Sequence, residues 1–145
     1  MSDAERTRVA AYALCVDETG RILLCRMAPS IIAGEVWTLP GGGLQYGESP
    51  ETAVLRELDE ETGQGGEILR LVEVSDRLLK LESRPGTVHA IRIVYEVQVR
   101  GDGSLRQEAG GTTDACSWFT IDEAERLNLN DLARRAIDLL GTAPP

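Results

Sequence analysis

The chain has 145 residues, of which 42% are hydrophobic and 27% charged, and it carries a formal net charge of −9 at pH 7. Those values fit one compact domain over residues 1–145 that can bury a real core. The acidity excludes a general nucleic-acid-binding face, which needs a basic footprint to displace phosphate counterions, but leaves room for a small phosphorylated ligand held through a metal ion and one or two arginines.

No apolar run approaches the roughly 18 residues of a membrane span, and the polar start Met1-Ser2-Asp3-Ala4-Glu5-Arg6 lacks the apolar stretch of a signal peptide. No membrane partner is expected, and the cytoplasm is the expected compartment. The cysteines, Cys15, Cys25 and Cys116, form no Cys-x-x-Cys pair. They read as reduced thiols, each a small buried hydrophobe in a strand-like run.

In chain order, Val9 to Val16 reads as a strand, Asp17-Glu18-Thr19-Gly20 as a turn, and Arg21 to Arg26 as the returning strand of a β-hairpin. Pro29 to Gly34 reads as loop, Val36 to Leu39 as a short strand, and Gly41 to Gly47 as a phosphate-facing loop. Ser49 suits an N-cap, Pro50 the first helical position and Gly63 the left-handed exit, which together predict a helix from Pro50 to Thr62. Ile68 to Val74 reads as a strand. From Val88 to Val99 the alternation of Ile91, Ile93, Tyr95, Val97 and Val99 with Arg92, Glu96 and Gln98 has the period of a half-buried strand. Gly101-Asp102-Gly103 turns the chain, Gly110-Gly111 opens a second glycine loop, and Ala115 to Thr120 reads as a strand. Helices follow at Asp122 to Leu127 and Leu132 to Leu140, and Thr142 to Pro145 reads as a frayed tail.

The helix at Pro50 to Thr62 is electrostatically unusual. Glu57, Glu60 and Glu61 share one narrow arc, because positions three and four apart lie on the same face, while Val54, Leu55 and Leu58 lie on the neighbouring arc and can anchor the helix to a core. Like charges at that spacing each cost about 0.2–0.5 kcal/mol, and acids in the last turn oppose the helix dipole by roughly 0.3–1 kcal/mol each. A hard divalent cation would relieve the crowding, because Mg²⁺ prefers a few carboxylate oxygens together with waters and substrate phosphates.

The run Gly42-x5-Glu48-x7-Arg56-Glu57-Leu58-Asp59-Glu60-Glu61-Thr62-Gly63 resembles the Nudix box, written G-x5-E-x7-R-E-U-x-E-E-x-G-U with U a bulky aliphatic. Every fixed position matches, and only the final U departs, as Gln64, at a position that packs rather than reacts. The stretch Trp37-Thr38-Leu39-Pro40-Gly41-Gly42-Gly43 is similar to the strand that leads into the box. Trp118-Phe119 with Asp122-Glu123 is similar to the strand and helix that close the domain. The resemblance implies an α/β fold, an α/β/α sandwich with a mixed β-sheet between helices.

It also implies a chemistry, the hydrolysis of the pyrophosphate bond in a nucleoside diphosphate linked to another moiety, with Mg²⁺ or Mn²⁺ as cofactor. Glu57 and Glu61 are then the expected metal ligands, and Glu60 a further ligand or general base. Arg56 is expected to brace the loop through Glu48, and Gly41, Gly42 and Gly43 to let backbone approach phosphate. Outside the box, Glu108 and Asp114 are both candidates to complete the site or act as base, and Arg26 is a candidate phosphate contact. Trp37 and Trp118 can stack on a base or fill the core, and His89 is given no catalytic part.

Nucleotide sugars, ADP-ribose, dinucleotides and nucleoside triphosphates all remain candidate substrates, and the resemblance makes a homodimer reasonable. Two other readings stand beside the hydrolase. A nucleotide-sensing domain without turnover would be marked by a lost box glutamate or an attached DNA-binding domain, and an isoprenoid diphosphate isomerase would need a catalytic cysteine in a pocket.

Overall fold

The computed structural model describes residues 5–29, 31, 34–80, 85–100, 104–106, 111 and 113–140. The expected turn at Gly101-Asp102-Gly103, Gly110, the candidate Glu108 and the tail from Thr142 to Pro145 lie outside the described residues.

Two sheets make the middle layer. The first orders β4 (Gly41–Gly43), β1 (Glu5–Cys15), β6 (Thr87–Arg100) and β5 (Gly65–Lys80), and it is mixed: β1 runs parallel to β6, and the other pairs are antiparallel. The second orders β3 (Trp37–Thr38), β2 (Ile22–Met27) and β7 (Thr113–Phe119), all antiparallel. Helix α1 (Pro50–Thr62) covers one face, with Ala53, Val54 and Leu58 packed on Ala11, Ala13, Cys15, Leu23 and Val97. Helices α2 (Ile121–Glu125) and α3 (Asp131–Leu140) cover the other, where Leu132, Ala133 and Ala136 meet Leu14, Leu24 and Trp37. This is the α/β/α sandwich with a mixed sheet that the sequence leads one to expect.

The alternation of β1 divides the two cores. Ala11, Ala13 and Cys15 point to α1 and Leu14 to the α3 side, so the strand is apolar on both faces, as central strands are. Burial pushes the Cys15 thiol up to about 12.

Four expectations change. The hairpin of β1 and β2 closes only at the Val16 and Ile22 bridge and the bond donated by Asp17 N to Arg21 O, 2.9 Å. Both edges of β1 are already taken by β4 and β6, so β2 departs into the second sheet. The glycine loop begins as a strand, since Gly41, Gly42 and Gly43 pair with Tyr12, Ala11 and Ala10. And the cysteines are not all free: Cys25 and Cys116 stand opposite each other across β2 and β7 and are joined as a disulfide, 91 residues apart in the chain. Strand β5 is also longer than the expected Ile68 to Val74, continuing at both ends through largely exposed residues, Gly65 to Glu67 and Ser75 to Lys80, that carry no apolar alternation. Among the described residues no helix is long and apolar enough to cross a membrane.

Candidate active site

The site is built where α1 meets the edge strand β4. Ser49 Oγ accepts from Thr52 N at 3.1 Å, Pro50 opens the helix, and Gly63 closes it in the left-handed region at φ 77°, its N–H donating to Asp59 O at 2.8 Å. These local stops set where the acids fall.

Solvent exposure then grades them. Glu61 is 2% exposed, and its Oε2 accepts from Gly41 N at 2.7 Å. Glu57 is 16% exposed and Glu60 43%. The Glu57 carboxylate lies directly over Gly42: a Cβ there would sit 2.8 Å from Glu57 Cδ and Oε2. Gly41 adopts φ 152°, and a Cβ on it would run into the Ala11 carbonyl oxygen. The glycines therefore serve two needs, a backbone that bends at Gly41 and a surface on which a carboxylate rests at Gly42.

Arg56 ties the cluster together. Its Nε donates to Glu48 Oε2 at 2.7 Å and its Nη2 to Glu48 Oε1 at 2.9 Å, a two-toothed grip. Nη1 donates to Glu57 Oε1 at 3.0 Å and Glu60 Oε2 at 3.2 Å, and Nη2 reaches Gly43 O at 3.2 Å. The Arg56 bonds, with one from Gln45 N, lower the Glu48 carboxyl to about 2. The same partners, Glu48 foremost, raise the pKa of Arg56. Arg56 thus reaches into the carboxylate arc, because its long side chain extends to both Glu57 and Glu60.

Arg26 and Asp114 form a pair of their own, Nε to Oδ1 at 2.8 Å, and the Arg26 guanidinium sits 5.9 Å over the Trp37 ring. Trp37 packs edge-on against Phe119 in the core, and Trp118 joins the core on the α1 side. His89 pairs with Asp76 at 2.6 Å on β5 and β6.

The sequence reading missed the fastening behind the helix. Arg106 N donates to Thr62 O at 2.8 Å and its Nη2 to Asp59 O at 3.2 Å, a cation at a helix C-terminus. Gln64, the one departure from the box pattern, is buried and donates its side-chain N–H to Ser104 O, so a polar tie replaces the aliphatic contact. It also missed Arg8, whose guanidinium lies beside Gly43.

Comparison with known proteins meets the same residues. The NUDIX domain profile matches residues 6–140. A MutT-like protein of Streptomyces ambofaciens is 32% identical over 137 residues, covering 94% of this chain and 79% of the relative. The chain belongs to the Nudix family. An RNA pyrophosphohydrolase of Saccharophagus degradans is 28% identical over 127 residues, 81% of this chain and 73% of the relative. The crystal structure of a MutT NUDIX hydrolase from Burkholderia pseudomallei superposes with a TM-score of 0.73 at 30% identity, covering 92% of this chain and 98% of that one.

The Nudix residues fit a hard divalent ion. Their donors are carboxylate oxygens, and Glu57 and Glu61 are both pressed onto β4. Among the described residues no trio of His, Cys, Asp or Glu is gathered into a ready-made cage; Glu60 is the most exposed of the three acids and shares Arg56 Nη1 with Glu57. A magnesium site needs only one or two carboxylates when waters and substrate phosphates supply the rest.

Proposed function

We propose that this Nudix protein is a Mg²⁺- or Mn²⁺-dependent pyrophosphohydrolase that cleaves the diphosphate of a nucleoside diphosphate linked to another moiety. The observation that carries the reading is the buried Glu61 carboxylate fastened to Gly41 N, with Glu57 laid over Gly42 beside it. A buried anion is costly unless paired, and here two acids converge on one strip of backbone.

Glu57 and Glu61 are the residues to hold the ion, which when bound would offset the charge of the diphosphate and make a water nucleophilic near neutral pH. Glu60 is the more exposed acid of the arc and can take a proton from water entering from solvent. Both Glu60 and Asp114 accept from an arginine, Glu60 from Arg56 at 3.2 Å and Asp114 from Arg26 at 2.8 Å, so the base is assigned among Glu60, Asp114 and Glu108 by mutating each. Arg56 and Glu48 brace the loop, so that Gly41, Gly42 and Gly43 keep their place against the acids and a phosphate oxygen can approach the backbone. The homodimer belongs to the same proposal, and sedimentation velocity reads it directly.

The test is a panel of nucleotide sugars, ADP-ribose, dinucleoside polyphosphates, nucleoside triphosphates and 5′-triphosphorylated RNA with either metal, run in ¹⁸O-labelled water. Cleavage with label on one phosphate product supports the reading and identifies the phosphorus attacked. Binding without turnover across the panel would overturn it in favour of a sensing domain.

A further inference from the structure

We propose that Arg8 is a substrate-anchoring residue, a guanidinium that grips the diphosphate from the far side of the glycine strand. This rests on the pyrophosphohydrolase reading and adds to it a residue that lies outside the box.

Arg8 stands on β1, exposed, two residues before Ala10, which pairs with Gly43. Leu44 N donates to Val9 O at 3.0 Å, so the chain after the glycines continues along β1 past Arg8. Because Gly43 has no side chain, the guanidinium rests over it: a Cβ at Gly43 would be 3.1 Å from Arg8 Nη2 and 3.4 Å from its Nε and Cζ. Arg56 holds the carbonyl of the same residue at 3.2 Å. Two guanidinium groups therefore bracket Gly43, but they are not equivalent. Arg56 is occupied by Glu48, Glu57 and Glu60, and Arg26 by Asp114. Among the described residues Arg8 enters no ion pair.

Arg8 shares its face of β1 with Ala10 and Leu14, so it lies across the edge strand β4 from Glu57, which sits over Gly42, and an anion that reaches past that edge would meet it. Arg8 is well suited to such a ligand. A protein of net charge −9 repels a diphosphate at long range, and the box acids add to that repulsion locally. A planar five-donor fork matches phosphate oxygens and cannot be deprotonated in the working range. Both ends of Gly43 would then act together: Arg56 sets the strand, and Arg8 takes the phosphate lying against it.

The experiment is calorimetric titration of the full chain with magnesium pyrophosphate, comparing the unsubstituted protein with Arg8→Ala, Arg8→Lys and, as a control for bulk charge, Arg6→Ala on the same strand. Loss of one charge-assisted contact should raise Kd about tenfold or more in Arg8→Ala, with Arg8→Lys between and Arg6→Ala unchanged, at equal melting temperatures. Equal binding by Arg8→Ala, an equal loss in Arg6→Ala, or no pyrophosphate binding by the unsubstituted protein would each overturn the proposal. Turnover separates the two readings. If the panel is cleaved and Arg8→Ala keeps its KM, Arg8 falls and the hydrolase stands. If nothing is cleaved but pyrophosphate binding depends on Arg8, the hydrolase falls and the anchor stands.

Discussion

Glu61 places a carboxylate where almost no water reaches it, and one oxygen is spent on Gly41 N. Glu61→Gln keeps the shape and an acceptor while removing the charge. Turnover is expected to fall by several orders of magnitude, and the melting temperature in EDTA to hold or rise, because a neutral amide is cheaper to bury. A marked drop in that temperature would mean the acid is there for the fold. Gly42→Ala separates the two roles differently. Its Cβ would meet the flexible end of Glu57, so stability should change little while kcat falls roughly a hundredfold, the usual cost of a misplaced catalytic group; kinetics alongside a urea melt distinguish the two. Glu48 gives the pH signature. Its folded pKa, pulled to about 2 by Arg56 and Gln45 from an ordinary 4.5, lies below the unfolded one. Its stabilising contribution is therefore complete above 4.5 and is lost as pH falls through about 2. Urea midpoints over that window should drop more steeply for the unsubstituted protein than for Glu48→Gln.

At the scale of elements, α1 is held by its caps as much as by its buried face. Ser49→Ala removes the acceptor for Thr52 N and should cost about 1 kcal/mol in urea unfolding. The bounds of this helix are legible in the sequence because Ser49, Pro50 and Gly63 are local chemical signals, and the box residues could be placed on it for the same reason. What could not be read depends on distant partners. The pairing of Arg26 with Asp114 spans 88 positions, and the tie from Gln64 to Ser104 spans 40. The ends of strand β5 are not legible because Gly65 to Glu67 and Ser75 to Lys80 are largely exposed and carry no apolar alternation; they are held as strand by pairing with β6. The separation of β1 from β2 is set by which neighbours occupy the edges of β1, and no pattern inside either strand records that.

For the whole molecule, Leu14 joins the first sheet to the core under α3 and is fully buried. Leu14→Ala should cost about 2–5 kcal/mol, read from the urea midpoint, with the pyrophosphate affinity of the still-folded fraction unchanged, since α1 packs on the opposite face. Net charge acts further out. A polyanion approaching a chain of charge −9 is repelled at low salt, so at fixed free magnesium kcat/KM should rise between about 0.01 M and 0.15 M ionic strength as the screening length shrinks from about 30 Å to about 8 Å. A fall over that range would mean that local attraction by arginines dominates the encounter.

The anchoring of α1 from both ends bears on how such a protein can be re-engineered. Glu48 secures the helix in front through Arg56, and Arg106 with Ser104 secures it behind. A graft of residues 42–63 into another scaffold would carry the first fastening and leave the second on the donor. Chimaeras that also bring Gln64 and residues 104–106 should keep their acids aligned, and chimaeras without them should not.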